Sequence, residues 1–178
     1  FKIAAFGLGI LIAIPVVTLV VSFWGNSPII DGKELSTGAT QVKDSIVSAA
    51  IIPAAEGSVV LVDCGNDRAA GPIVAELHRR GLKGDAVKAV LLTHGHSDHI
   101  GGCNQFPSAE IYAMKEEVDL LEGRIKMRSP MGRLTGRKDT GIRVSHPLRD
   151  GETVHIGSIE ATAYAIPGHT DGSAAFLI

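Results

Sequence analysis

From Ile3 to Trp24 the chain runs through 22 consecutive residues without a charge, and no polar face is sustained along them. As a helix this run is about 33 Å long, at roughly 1.5 Å per residue, against a hydrocarbon core of roughly 30 Å. It predicts one N-terminal transmembrane helix, an anchor over residues 1–26 that meets the membrane through residues 3–24. Pro15 and the early glycines fit, because membrane helices tolerate both. A cleavable signal peptide is the alternative, but its apolar core usually spans only about 7–15 residues before a small-residue cleavage site. This run is longer and ends in Phe23-Trp24, an aromatic pair suited to the membrane interface. Lys2, the single charge ahead of the run, favours a cytoplasmic N-terminus with everything after Trp24 outside.

Behind the anchor the pattern changes. Gly, Ser, Asn, Pro and Asp crowd residues 25–40, so 27–40 reads as a linker and the folded domain as 41–178. Residues 45–52 and 58–62 are β-rich runs joined by Pro53-Ala54-Ala55-Glu56-Gly57, a connection of hairpin length that ends in Gly. Residues 67–80 carry Ile73, Val74 and Leu77 at helical spacing, with Arg79 and Arg80 in the last turn and Gly81 as a stop. Residues 86–92 form a short apolar run suited to a buried strand. Further strands are expected at 110–113, 153–156 and 159–166, a short helix at 115–121, and a core strand in the apolar run 174–178. Strand, helix, strand in succession predicts an α/β fold.

Composition narrows the class. The 178 residues allow one ordinary domain plus an appendage. Lys and Arg number 17 against 19 Asp and Glu, a formal charge of -2 that excludes the strongly basic balance of a dedicated nucleic-acid binder. Only 4% of residues are aromatic, so much of the core must be aliphatic. Cys64 and Cys103 are too few for a disulfide framework and form no Cys-x-x-Cys pair; whether they bond to each other is a matter of distance.

The chemistry is concentrated in Thr93-His94-Gly95-His96-Ser97-Asp98-His99-Ile100-Gly101-Gly102, just past the expected strand 86–92. Imidazole and carboxylate are the donor set for zinc and related divalent ions, and a tight turn after a strand can aim alternate residues at one point. Gly95 and Ser97 keep the intervening positions small, and Gly101-Gly102 let the backbone pass close to the site. His78, His146 and His155 match no pattern; His78 and His155 read as structural or solvated, and His146, before Pro147, could lie near the site mouth although nothing in the sequence requires it.

These residues resemble the signature of the metallo-β-lactamase superfamily, His-x-His-x-Asp-His followed by Gly-Gly. The apolar strand ending in Asp63-Cys64-Gly65 is similar to its Asp-x-Gly motif, and Pro167-Gly168-His169-Thr170-Asp171-Gly172-Ser173 to its third-histidine loop. The resemblance implies a metallo-β-lactamase αββα sandwich and a metal-dependent hydrolase. It implies that His94, His96 and His169 bind one metal, that Asp98 and His99 bind a second, and that Asp63 orients the ligand loop. Zinc is the expected metal, two ions per complete domain, with iron or manganese as alternatives. A bound divalent ion would lower the pKa of water from about 15.7 toward 7, and Asp98 would orient the attacking water as the catalytic carboxylate.

One departure stands out. Family members with two metals use a bridging Asp and a later His well beyond the third-histidine loop, whereas only nine residues follow His169 here. The expectation is a domain truncated before the bridging Asp; a degenerate homologue holding one ion is the alternative. Residues 124–143 hold seven of the 17 basic residues against the single acid Asp139, which fits an anionic small-molecule substrate or a merely solvated loop. The motif looks more like branches acting on thioesters, lactones and small esters than like the RNA-processing branch; a lactam also fits the family. With the anchor, the expected enzyme is single-pass and extracytoplasmic, periplasmic if bacterial. Two other readings remain: a membrane-linked nuclease or DNA-uptake component, against which the charge of -2 argues, and a non-catalytic metal-binding module.

Overall fold

The computed structural model describes residues 14, 17, 18, 29–35, 38–126 and 140–178. In chain order the elements are β1 (Lys33–Glu34), β2 (Thr40–Asp44), β3 (Val47–Pro53), β4 (Val59–Val62), α1 (Gly71–Arg79), β5 (Val87–Leu91), α2 (Ser97–Ile100), β6 (Glu110–Met114), α3 (Val118–Leu121), β7 (His146–Leu148), β8 (Thr153–Ile156), β9 (Ile159–Ala165) and β10 (Ala174–Leu177). Strands β1 to β7 form one sheet in sequence order, antiparallel up to β4 and parallel from β4 to β7; β8, β9 and β10 form a second, antiparallel sheet.

The parallel strands explain the architecture. β4 and β5 are short runs with almost no polar position, as expected for strands covered on both faces. Their side chains alternate between two apolar clusters. Val59, Leu61 and Val90 pack with Ile73 and Leu77 of α1. Val60, Ala89 and Leu91 pack with Ile156, Ala161 and Ala163 of the small sheet. Fully burying a side chain of this size is worth about 1.5–3 kcal/mol, so both coverings are strongly favoured. The layers are therefore helix, sheet, sheet. The second helical layer of the expected αββα sandwich is not found among the described residues, where Tyr164 and Leu177 lie exposed on the outer face of the small sheet.

Several boundaries differ from the sequence expectation. The run expected at 45–52 begins later, because Ser45 adopts a left-handed φ of 60° and turns the chain between β2 and β3. β1, hydrogen-bonded to β2, falls in the stretch expected as a linker. α1 starts at Gly71 rather than 67. The amides of Asn66 and Asp67 donate to the Asp44 carboxylate, both at 2.7 Å, and Asp67 in turn accepts from Ala69 and Gly71 at 3.0 Å each. These two backbone bonds hold the Asp67 carboxyl below its ordinary pKa. The sequence pattern does not predict β7; it contains Pro147, which an edge strand tolerates where the missing N–H would face away from the neighbouring strand.

Of the apolar run 3–24, only Ile14, Val17 and Thr18 are described, and they are helical; the rest of the expected anchor lies outside the described residues. Among the described residues no helix is long and apolar enough to cross a membrane.

Cys64 and Cys103 form a disulfide with their Cα atoms 5.2 Å apart, closing a loop of 39 residues that contains α1, β5 and the histidine motif. In the chain-entropy model a loop of this length is worth about 4 kcal/mol of stability. Reduction, or the paired substitution Cys64→Ala with Cys103→Ala, is expected to lower the unfolding free energy by about 2–4 kcal/mol. Urea titration of oxidised and reduced protein measures this, and coincident midpoints would count against it.

Candidate metal centre

Three chain segments meet at the C-terminal end of the parallel strands. The turn leaving β5 carries His94 and His96, α2 carries Asp98 and His99, and the connection from β9 to β10 carries His169. Donor atoms of His94, His96 and His169 all lie within 4.8 Å of one another. The His94 ring is the centre of the cluster, with centroid distances of 4.8 Å to His96, 4.1 Å to His99 and 4.7 Å to His169. Ala174 N–H donates to Thr93 O at 2.8 Å, tying the His169 connection to the histidine turn.

Asp63, immediately after β4, organises two of these rings. Its Oδ1 accepts the Thr93 amide at 2.8 Å, and its Oδ2 accepts both the Thr93 hydroxyl and His99 Nδ1–H at 2.7 Å each. A carboxylate only accepts, so His99 is protonated on Nδ1 and, in the neutral ring, its Nε2 carries the free lone pair. The Thr93 hydroxyl spends its hydrogen on Asp63 and must accept from His94 Nδ1, 3.1 Å away. His94 Nε2 is consequently the unprotonated nitrogen. It is buried and has no hydrogen-bond partner among the described residues.

That orphaned atom fits a metal. A buried imidazole nitrogen left unsatisfied is costly, and a divalent ion on Nε2 would satisfy it while the far nitrogen stays hydrogen-bonded, as metal-ligating histidines usually are. Asp98 lies at the edge of the cluster, about a third exposed, with Oδ2 3.9 Å from His99 Nε2. The described structure thus gathers His94, His96 and His169 at one point and sets Asp98 and His99 beside it as a separate pair.

Local packing explains the glycines. A Cβ on Gly101 would lie 2.4 Å from Asn66 O, and one on Gly102 would lie 2.8 Å from Cys64 O. Only glycine lets α2 seat against the Cys64 loop, where Cys64 N–H donates to His99 O at 2.7 Å and Gly101 N–H to Gly65 O at 2.8 Å. An open cavity beside His96 and His169 is bordered by Glu116, Leu120, Ile125 and Lys126. Much of the basic stretch 124–143 lies outside the described residues; within it Arg124 pairs with Asp119 and Glu122 rather than facing the site. His146 is away from the cluster, stacked on Tyr112 and hydrogen-bonded to Glu110. Sequence reasoning passed over the Thr93 hydroxyl and Glu117, neither of which has a distinctive spacing.

The family model of the metallo-beta-lactamase superfamily matches residues 43–178. The chain belongs to this superfamily. A hydroxyacylglutathione hydrolase of Legionella pneumophila (strain Paris) is 31% identical over 114 residues, 62% of this chain and 35% of that protein. A probable metallo-hydrolase of Bacillus subtilis (strain 168) is 33% identical over 129 residues, 71% of this chain and 46% of that protein. The chain spans between about a third and half the length of these curated relatives. Among solved structures, a subclass B3 metallo-beta-lactamase of Bradyrhizobium japonicum superposes with a TM-score of 0.67 at 24% identity, over 84% of this chain and 55% of that one. The MIM-2 metallo-beta-lactamase does so with a TM-score of 0.66 at 30% identity, over 78% of this chain and 52% of that one.

In this superfamily member two histidines of the cluster, His94 and His96, resist protonation. Burial, then the charges of His99, His96 and His169, push His94 down to about 4 against the pull of Asp98. His96 moves down for the same first reason, burial, followed by the charge of His169. His99 moves the other way: burial opposes its charge, but the hydrogen bond and charge of Asp63, with Asp98, outweigh burial. Between pH 6.5 and about 4 the unfolded chain therefore binds a proton that folded His94 refuses, and stability falls as pH falls. The His94 contribution is at most roughly 3 kcal/mol. In the presence of a chelator, the urea midpoint is expected to drop on acidification through this window, and His94→Asn should flatten that drop. An equal drop in both proteins would remove His94 as its source.

Proposed function

We propose that the chain is the metal-binding part of a zinc-dependent hydrolase of a small ester, thioester, lactone or lactam. His94, His96 and His169 hold one ion, and Asp98 and His99 contribute to a second. The observation that carries this reading is His94 Nε2, buried without a partner among the described residues and within 4.8 Å of the donors of His96 and His169. The name of the Legionella relative, a hydrolase of a glutathione thioester, favours the thioester end of the substrate range.

Bound zinc supplies a Lewis acid that polarises a carbonyl and brings the pKa of water toward 7. The chain's own residues do the rest. Asp98, partly exposed at the edge of the cluster, would accept a proton from water and orient it. Asp63 locks the tautomer of His99 directly and that of His94 through Thr93, so the donor nitrogens need no rearrangement when the ion enters. Leu120 and Ile125 give the cavity an apolar wall, and Lys126 a cationic one for an anionic substituent.

The disulfide supports an extracytoplasmic site for this domain, since such bonds persist in oxidising compartments. With the apolar run 3–24, we propose a single-pass anchor and a periplasmic domain if the source is bacterial.

The full chain, loaded with zinc, is to be assayed against acyl-thioester, lactone, β-lactam and phosphodiester probes. Thioester or lactone turnover that a chelator abolishes and His169→Ala lowers by at least about a hundredfold is expected, because Lewis-acid stabilisation is worth several kcal/mol. Phosphodiester turnover alone would favour a nuclease, and zinc binding with no turnover a binding module.

A further inference from the structure

The metal-binding histidines come from two segments far apart in sequence, and their meeting depends on how those segments are held together. Glu117 touches both. It ends the single turn Lys115–Glu117 that follows β6, is 1% exposed, and sits at the floor of the cavity beside His96 and His169. Its Oε1 accepts the Gly95 amide at 2.7 Å, and its Oε2 accepts the Gly172 amide at 2.9 Å; both bonds are buried. Gly95 lies between His94 and His96, and Gly172 lies three residues after His169.

The approach is too close for any other residue at one of these positions. A Cβ on Gly172 would stand 2.5 Å from Glu117 N and 2.6 Å from its Cβ, and one on Gly95 would stand 3.2 Å from Oε1 and from Leu120. Among the described residues no cation pairs with Glu117. A buried carboxylate without a counter-ion is costly unless hydrogen bonds satisfy it, and the two amides are what satisfy this one, as charge-assisted bonds. A residue whose role was only to fill this space would be apolar.

We propose that Glu117 is a positioning residue of the metal centre: one carboxylate clamps the His94–His96 turn and the His169 connection at the separation that lets the three histidines share an ion. This rests on the metal-centre reading above. It adds an element outside the three motifs, in the turn after the next parallel strand, that sets the spacing between them.

The test uses the full chain with Glu117→Gln, Glu117→Asp and, as a control remote from the site, Ile73→Val in α1. Zinc affinity is read by competition with a chelator, coordination by the absorption spectrum of cobalt(II) substituted for zinc, and the clamp itself by exchange of the Gly95 and Gly172 amides in metal-free protein. Gln can accept from one amide only and turns an N–H₂ toward the other; Asp keeps the charge but is one methylene too short to reach both. Both are expected to weaken zinc binding by about 10–100-fold, to change the cobalt spectrum, and to speed exchange at Gly95 and Gly172. Ile73→Val should lower the melting temperature and leave all three readouts alone. Parental zinc affinity and cobalt spectrum in both Glu117 variants would overturn the proposal, as would an equal loss of affinity in the control. Retention in Glu117→Asp alone would also overturn it, showing that charge rather than the two-amide bridge matters. A parent chain that binds no zinc while the amides still respond to Glu117 would sink the hydrolase reading and leave the clamp standing.

Discussion

The three hydrogen bonds received by Asp63 set the rest of the site. They form because β4 ends one residue earlier, beside β5, so that the Asp63 carboxylate faces the Thr93 backbone and side chain across the parallel pair. Asp63 adopts a left-handed φ of 58°, a conformation that costs a non-glycine residue on the order of 1–2 kcal/mol. Three bonds to a carboxylate, all of them from Thr93 and His99 of the histidine motif, more than offset that. The strain is thus local, and what it secures is the direction of two imidazole rings.

Fold and site are coupled by the same few residues. Cys64 follows Asp63 and Cys103 follows Gly101-Gly102, so the disulfide fastens the Asp63 turn to the end of α2 at a point where the two backbones already exchange hydrogen bonds. The glycines permit contact, the backbone bonds give it direction, and the covalent link limits how far the unfolded chain can separate the two turns. Asp44 does the corresponding work on the other side, holding the amides of Asn66 and Asp67 from β2. The Asp63 loop is fixed from three directions, and the disulfide also ties it into the apolar cluster under α1, to which Cys64 and Cys103 both belong.

How much of this was legible in the sequence follows from where each signal is stored. His94, His96, Asp98 and His99 lie within six residues, so their chemistry is visible without the fold, and the apolar runs of β4 and β5 announce buried strands. β7 was not legible: three residues around Pro147 carry no period, and the strand exists only because β6 offers a free edge. The late start of α1 was hidden for a similar reason, since Asp44, more than twenty residues earlier, takes the amides that a longer helix would have used. Glu117 sits in the charged triplet Lys115-Glu116-Glu117, which by composition is a solvated turn. That Glu116 is exposed and Glu117 buried depends on what the turn packs against, not on anything local.

Three neighbouring parallel strands therefore divide the labour at their C-terminal ends, where open α/β sheets commonly place their ligands. β4 delivers Asp63, which fixes ring direction; β5 delivers Thr93, which links Asp63 to His94, and the rings of His94 and His96; β6 delivers Glu117, which fixes the distance to the His169 connection. Each strand is held in register by its neighbours through residues such as Leu61, Val90 and Ile111, which belong to one apolar cluster. The positions of the polar groups are thus inherited from apolar packing, and the acidic side chains convert that register into the orientation and spacing of the histidines. A centre built this way needs its two carboxylates in different roles: one reads out the pairing of β4 with β5, the other the pairing of β5 with β6.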